Sequence, residues 1–311
     1  MSDPGRAMLV ADIGKTRCRI RLTTSRQAST WTTVWAQDGD GTPGLAALGS
    51  VDVVVHRMLD LASARPDASL DVVAVGVAGA LAAPAAADVL ANALATAFRT
   101  RAIVTSDIVT AHLGALGGGP GTALIAGTGA VALGIADDGT ATLVDGAGPE
   151  VGDLGSGAWI GRAGICAALR ARDGAGPATR LTLALDDLLG STADVQRWVT
   201  DGGNVGGRLG AFAPAVLECA ELGDSIAKAI AGDAVRMLTA TAVAAAKRSG
   251  EVHSVCVLGG LADNPGFRQR LLNAIAGADL HTLAPLGTAL DGACIAAVNE
   301  HLPHERHFHR A

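Results

Sequence analysis

The chain has 311 residues, 49% hydrophobic and 17% charged, with a formal net charge of −6. That is enough apolar material for one large domain or two ordinary ones, and it argues against wholesale disorder. An acidic chain with no long basic run is a poor nucleic-acid binder, and five scattered cysteines (Cys18, Cys166, Cys219, Cys256, Cys294) without a CxxC pair make neither a zinc knuckle nor a disulfide framework.

Asp3, Arg6 and Asp12 interrupt the N-terminus, so no signal peptide is expected there. The apolar run around "TATAVAAA", of roughly 12 residues, is too short to span a bilayer. The expectation is a cytoplasmic protein with no membrane partner, its cysteines serving as small core residues in a reducing compartment.

Residues 7–12 are an apolar strand, Asp12 to Thr16 a turn, and Arg19 to Thr24 an alternating second strand. "WTTVWAQ" is a candidate third strand, and a helical pattern covers about 43–64. "DVVAVGVAGAL" reads as a buried strand running into glycines, and "PAAADVLANALATAF" as a helix with Pro84 near its first turn. "AIVTSD" is another strand, and Ile108 to Leu116 another helix. The pattern then restarts: "GTALIAGTGAVALGIADDGTATLV" reads as strand, glycine turn, strand, turn, strand, with Asp138-Gly139 as a hairpin signal. Helices follow over about 156–248. Then come the strand "SVCVLGGL", a helix from about 265, the short strand "LHTLA" and a last helix near 288–299. A β-β-β-α-β-α-β-α order thus occurs roughly twice, as element order rather than residue identity. The tail "EHLPHERHFHR" holds four of the eight histidines and reads as a solvated terminus, with metal binding as the alternative.

"GTGAVA" formally matches the dinucleotide fingerprint, but that motif needs a helix directly after the glycines, and Ala130 to Ile135 is a strand. A P-loop is also missing, because Leu9 stands where its first glycine belongs. The same strand-turn-strand context occurs at "ADIGKT". A tight turn accounts for either hairpin alone. Two such hairpins, each early in one half of a duplicated order, are suited to gripping one phosphate chain, with Asp12 near a hydrated Mg²⁺. "VCVLGGLADNPGF" ends a strand in Gly259-Gly260, where a flat ring can lie against backbone, before Asn264-Pro265 opens a helix. Asp107 follows a strand at a helix start: an N-cap on one reading, a general base at the carboxyl end of a strand on the other. "GPEVGDLGSGAWIG" packs five glycines, Asp153 and Ser156 into 14 residues.

Taken in order, the D-x-G-x-T hairpin, the Asp107 corner, "LIAGTG", "GDLGSGAWIG" and "VLGGLA" resemble the N-acetylglucosamine kinase and BadF-type branch of the acetate and sugar kinase–Hsp70–actin superfamily, from Ala11 to about Ala297. The resemblance implies an α/β fold of two actin-like (ribonuclease H-like) lobes with an interlobe cleft. Residues 1–116 would form the first lobe, joined by the last helix (about 288–311), and 117–287 the second. It implies ATP and Mg²⁺, with Asp12, Gly14, Lys15 and Thr16 as the first phosphate loop and Gly127, Thr128 and Gly129 as the second. Asp12 would face the Mg²⁺ through water. Gly259, Gly260 and Asn264 would line the adenosine pocket. Asp107 would be the base, and Gly79, Gly152 and Asp153 would sit at the sugar.

Two departures bear on the acceptor: Leu154 replaces an acidic residue of the family's motif, and Ala147 stands where a tryptophan is usual. The family's N-acetylhexosamine kinases also tend to carry an asparagine after the third strand, and residues 37–44 have none. The expected activity is phosphoryl transfer from ATP to a hydroxyl, O6 foremost, of an amino sugar such as N-acetylglucosamine or glucosamine, with plain glucose open. The alternative is a BadF-type ATPase, regulatory or activase module without a sugar substrate. The branch's activases bridge an iron–sulfur cluster with glycine-flanked cysteines, and none of the five here is so placed. A homodimer is compatible with the sequence.

Overall fold

The computed structural model describes residues 6–27, 30–190, 194–249 and 254–311. Asp3, used above in reading the N-terminus, lies outside them, as do residues 191–193 of the helical stretch.

Three strands open the chain, β1 (Arg6–Ile13), β2 (Arg17–Gln27) and β3 (Thr30–Asp40). Then come helix α1 (Ser50–Ala62), strand β4 (Val72–Val77), helix α2 (Pro84–Phe98), strand β5 (Arg101–Thr105) and helix α3 (Asp107–Leu116). The order restarts with β6 (Gly121–Ala126), β7 (Ala130–Ile135) and β8 (Ala141–Asp145). A helical run follows: α4 (Gly157–Arg172), α5 (Leu181–Leu189), α6 (Val195–Thr200), α7 (Val205–Gly210), α8 (Ala213–Glu221) and α9 (Ser225–Arg248). The chain closes with β9 (Ser254–Leu258), α10 (Pro265–Ala276), β10 (His281–Leu283), α11 (Ala289–Val298) and β11 (His309–Arg310). The helix expected over 43–64 begins only at Ser50, because Gly49 turns the chain at φ +70°.

The chain divides into two compact units. The first takes in the described residues up to Pro120, the hairpin tip Ile135–Thr140 and Ala284–Ala311. The second comprises Gly121–Gly134 and Ala141–Leu283.

In the first unit one sheet runs β11-β5-β4-β1-β2-β3. Strands β1, β4 and β5 are parallel, β2 and β3 continue as an antiparallel meander, and β11 is antiparallel to β5. Strand β4 is buried along its whole length, which is why it reads as a continuous apolar run. The period of two splits β1 between two cores. Leu9, Ala11 and Ile13 face Val54, Met58, Leu90 and Leu94 of α1 and α2. Met8 and Val10 face Leu290, Ala293 and Cys294 of α11. Helices α3 and α11 approach through glycine: a Cβ on Gly292 would lie 1.9 Å from the Thr110 carbonyl oxygen, and one on Gly114 1.9 Å from that of Thr288.

In the second unit the sheet runs β10-β9-β6-β7-β8, the order β5-β4-β1-β2-β3 shifted by five strands, so the duplicated element order is a duplicated topology. The helical run α4–α9 stands where the first unit has α1 alone, which hides the repeat at residue level. Its core gathers Ile160, Phe212, Leu238, Phe267 and Leu271. By length and composition α9 could cross a membrane, the one such helix among the described residues; here a stripe from Ala227 to Ala246 is buried in this core.

Two expectations fail. Cys166 is exposed, unlike the four buried cysteines. The histidine-rich tail is ordered: Leu302 and His304 are buried, and residues 309–310 form the edge strand on β5. Polar composition cannot reveal a strand whose partner lies roughly two hundred residues away.

Gly292→Ala should lower stability by about 2 kcal/mol, because a methyl forced against a backbone oxygen outweighs the usual helical gain from alanine. Denaturant unfolding measures it; an unchanged or raised midpoint would contradict this account of the α3–α11 contact.

Candidate functional site

Asp12, the last residue but one of β1, lies opposite Gly76 of β4, which in turn lies opposite Thr105 of β5. These parallel strands end together, where α/β sheets place ligands. The turn after β1 is closed by Gly14 N–H donating to the Arg17 carbonyl at 3.0 Å. The amides of Gly41 and Thr42, just past β3, take the carbonyls of Thr16 (3.2 Å) and Gly14 (3.1 Å). A side chain at 41 would sit 2.1 Å from the Lys15 carbonyl oxygen, so glycine is required there. Lys15 and Thr16 are exposed. The Lys15 stem lies along Gly44, and the next amide, Leu45 N–H, donates to the Ala78 carbonyl at 2.7 Å. Gly79 follows at φ +84°, where a Cβ would crowd the Leu45 nitrogen at 3.1 Å.

Asp107 is the first residue of α3, directly past the end of β5. Its Oδ1 accepts from Ser106 Oγ (3.0 Å) and from the Ile108 N–H (2.9 Å). The residue therefore caps locally and still offers Oδ2 outside these bonds. Burial raises the proton affinity of its carboxyl, and the Asp12 charge raises it further; the Ser106 and Ile108 bonds and Lys15 pull the other way. Arg19 went unnoticed in the sequence. It lies opposite Asp12 in the β1–β2 register, and its guanidinium meets Asp12 Oδ2 at 2.5 Å. The alternation Arg17, Arg19, Arg21 along β2 was the available signal.

The second unit builds its turn the same way. Gly127-Thr128-Gly129 joins β6 to β7, and Gly127 N–H donates to the Gly129 carbonyl at 2.9 Å. The carbonyls of Gly127 and Thr128 are taken by Gly157 N–H (2.8 Å) and Ala158 N–H (3.0 Å), the opening amides of α4. Ser156 caps that helix, its Oγ accepting from Trp159 N–H at 3.1 Å. The Thr128 side chain is exposed.

Asp153, at φ +53°, brings its carboxylate against Gly129, where a Cβ would lie 2.9 Å from Oδ2. Asp145, which sequence reasoning missed, sets this loop. One carboxylate oxygen accepts from Gly146 N–H (2.8 Å) and Asp153 N–H (2.7 Å), and the other from Leu154 N–H (2.8 Å). Gly152 fits because a side chain there would collide with Asp145 and Ala147. The Asp-Gly step closing β8 was the only cue.

Gly259, at φ +98°, presses on the end of β6, where a Cβ would lie 2.6 Å from the Ala126 carbonyl oxygen. Gly260 is exposed. Asn264 is occupied structurally: its Oδ1 caps α10 through Phe267 N–H (2.7 Å), and its Nδ2 donates to Glu221 at 3.2 Å.

Among the described residues, no cluster of three or more His, Cys, Asp or Glu is arranged to hold a metal ion. That donor set still suits Mg²⁺ carried by nucleotide phosphates, which takes one or two carboxylates and otherwise phosphate and water. Asp12 keeps Oδ1 outside its Arg19 contact and is the fitting carboxylate.

A model of the BadF/BadG/BcrA/BcrD ATPase family matches residues 11–284. The chain belongs to that family. It is 31% identical to an N-acetyl-D-glucosamine kinase of Dictyostelium discoideum over 189 residues, which is 58% of this chain and 59% of that protein. The match therefore spans less than two thirds of that relative. Two solved structures share the fold. A candidate N-acetylglucosamine kinase from Chromobacterium violaceum has a TM-score of 0.71 at 24% identity, over 96% of this chain and 100% of that one. One from Porphyromonas gingivalis has a TM-score of 0.73 at 21% identity, over 95% and 100%. The α/β fold with actin-like lobes is thus the one the motifs imply.

Asp145→Ala should destabilise the protein by about 1–3 kcal/mol, since three amides lose their acceptor. Hydrogen exchange of residues 146–155 should quicken selectively; uniform protection would mean that Asp145 does not organise the loop.

Proposed function

We propose that this chain is an ATP-dependent sugar kinase, transferring the γ-phosphate to a hydroxyl of an amino sugar such as N-acetylglucosamine or glucosamine, with O6 as the expected position. The observation that carries the reading is Asp107, a carboxyl of raised proton affinity at the carboxyl end of a parallel strand. Family membership and the resemblance to a kinase that acts on N-acetylglucosamine support it.

In this reading Asp107 accepts the proton of the acceptor hydroxyl while that oxygen forms a bond to the γ-phosphorus and the bond to ADP breaks. A buried carboxylate is a stronger base than a solvated one, which suits it to an alcohol. The turns at 14–16 and 127–129 take the phosphates. The Gly14 and Gly127 amides are spent on Arg17 and Gly129, which leaves the later amides of each turn and the exposed Thr128 hydroxyl as the donors for phosphate charge. Asp12 would hold a Mg²⁺ carried by the nucleotide, which would supply neutralisation of phosphate charge. Gly259 and Gly260 leave a surface without side chains for the adenosine. Asn264 supports that edge through its cap rather than by a free amide. Gly79, Gly152 and Asp153 serve the sugar, and Lys15 tempers the Asp107 charge. The setting is the cytoplasm.

The test is ADP release with ATP and Mg²⁺ over N-acetylglucosamine, glucosamine, glucose, mannose and muramyl sugars. One or more amino sugars should stimulate release severalfold; ATP binding without stimulation by any sugar would favour an ATPase or regulatory module. Asp107→Asn should reduce sugar-dependent release by about a hundredfold or more.

The same substitution has a stability signature. A carboxyl whose folded pKa is raised binds its proton more tightly in the native state, so stability falls as pH rises from the ordinary carboxylate value through the raised one. Asp107→Asn removes that slope. At neutral pH the variant should melt no lower than the wild type; a clearly lower melting temperature would contradict the desolvation argument.

A further inference from the structure

Residues 302–311 are fastened to both sides of the Ser106–Asp107 corner. On the strand side, β11 pairs with β5, His309 lying opposite Val104. Ala311 and Ala102 exchange both backbone hydrogen bonds, at 2.8 and 2.9 Å. Thr105 Oγ1, two residues before Asp107, donates to the His307 carbonyl at 2.7 Å. On the helix side, His304 Nε2 lies 2.9 Å from Nδ1 of His112, on α3. The two rings meet edge-on, with centroids 4.9 Å apart. Both imidazoles have no exposed surface.

This is a costly way to fill a core. His304 Nδ1 and His307 Nε2 are buried with no hydrogen-bond partner in the protein. Each such nitrogen forfeits its hydration, and an aliphatic side chain of similar volume would pack without that loss. Burial, with His112 and His307 nearby, pushes His304 down to about 3. The ring is thus neutral at physiological pH and serves as a fixed partner rather than a charge. A metal does not explain the group either, because no three-ligand cluster is present among the described residues.

We propose that His304 is a positioning residue for Asp107: bonded to His112, in the second turn of α3, it holds that helix against the C-terminal segment and, through the helix, sets the direction of the Asp107 carboxyl at its start. Thr105 and the His307 carbonyl hold the other side of the same corner. The inference rests on the reading of Asp107 as the base. A carboxyl bonded at Oδ1 only by its own neighbours, Ser106 and Ile108, moves with the corner as a unit. Corner geometry therefore sets base geometry, and displacements on the ångström scale are enough to slow a transfer strongly.

The experiment compares His304→Ala, His304→Gln, Thr105→Val and Asp107→Asn in the full chain, with the best acceptor from the sugar panel. His304→Ala should lower kcat by about tenfold to a hundredfold, with little change in the KM for ATP or in ATP affinity by calorimetry. His304→Gln, which can still bond His112, should recover most of the loss. Thr105→Val, a near-isosteric change that keeps the core filled, should lower kcat about threefold or more by freeing the other side of the corner. In an Asp107→Asn background, His304→Ala should add nothing, because the residue acts through Asp107.

A wild-type kcat in His304→Ala would overturn the proposal. So would a full additional loss in the Asp107→Asn background, or a fall in kcat matched by weaker ATP binding. If His304→Ala does not fold, Thr105→Val and His304→Gln decide the matter. An Asp107→Asn enzyme of near wild-type rate would instead sink the base assignment, and this inference with it; an inactive Asp107→Asn beside a fully active His304→Ala would sink this inference alone.

Discussion

The glycine turns at 14–16 and 127–129 hang by carbonyl groups. At 14–16 the acceptors are held by the backbone of Gly41 and Thr42, and at 127–129 by the opening amides of α4. Binding these carbonyls into the scaffold fixes the backbone of each turn, whose first amide is spent inside it, Gly14 on Arg17 and Gly127 on Gly129. Much follows from this constraint. Gly41 must lack a side chain because a Cβ there would lie 2.1 Å from the Lys15 carbonyl oxygen, and Gly157 packs tightly on the second turn, where a Cβ would lie 3.1 Å from the Gly127 carbonyl oxygen. Helix α4 must begin where it does, which ties Ser156 and the glycine-rich loop before it to the second turn. The parallel strands then bring the remaining groups to the same ends of their sheets.

Charge in the first unit is balanced around two carboxylates. Asp12 raises the proton affinity of Asp107, and Lys15 lowers it. Arg19 partners Asp12 directly. Asp107 is desolvated, a state that disfavours its charged form. The surrounding structure bears this through dense packing: α11 against α3 by way of Gly114 and Gly292, and the C-terminal strand against β5.

The legible parts of the site were local. "ADIGKT" and "LIAGTG" announce themselves because strand, glycine, hydroxyl and strand are contiguous, and the strand after Gly129 is enough to reject a dinucleotide helix. Asp107 was legible because a polar residue at a strand–helix corner stands out from its apolar flanks. Asp145 was not, since its three bonds exist only once the chain returns through Asp153 and Leu154. Arg19 was hidden because its partner is set by cross-strand register. The bond of Asn264 to Glu221 was not legible either, because it joins two helices 43 residues apart.

By itself, the sequence determined the alternation of strands and helices, the two hairpins, the corner aspartate and the family they spell, because each depends on periodicity or on residues within a few positions of one another. Tertiary structure alone decided the fate of the histidine tail, the depth of His112 and His304, the pairing of Asp12 with Arg19 and the contact of Asp153 with Gly129. Those depend on which distant segments share a sheet edge or a helix face. One-dimensional spacing carries no trace of that, because burial and register are properties of packed neighbours rather than of the residues alone.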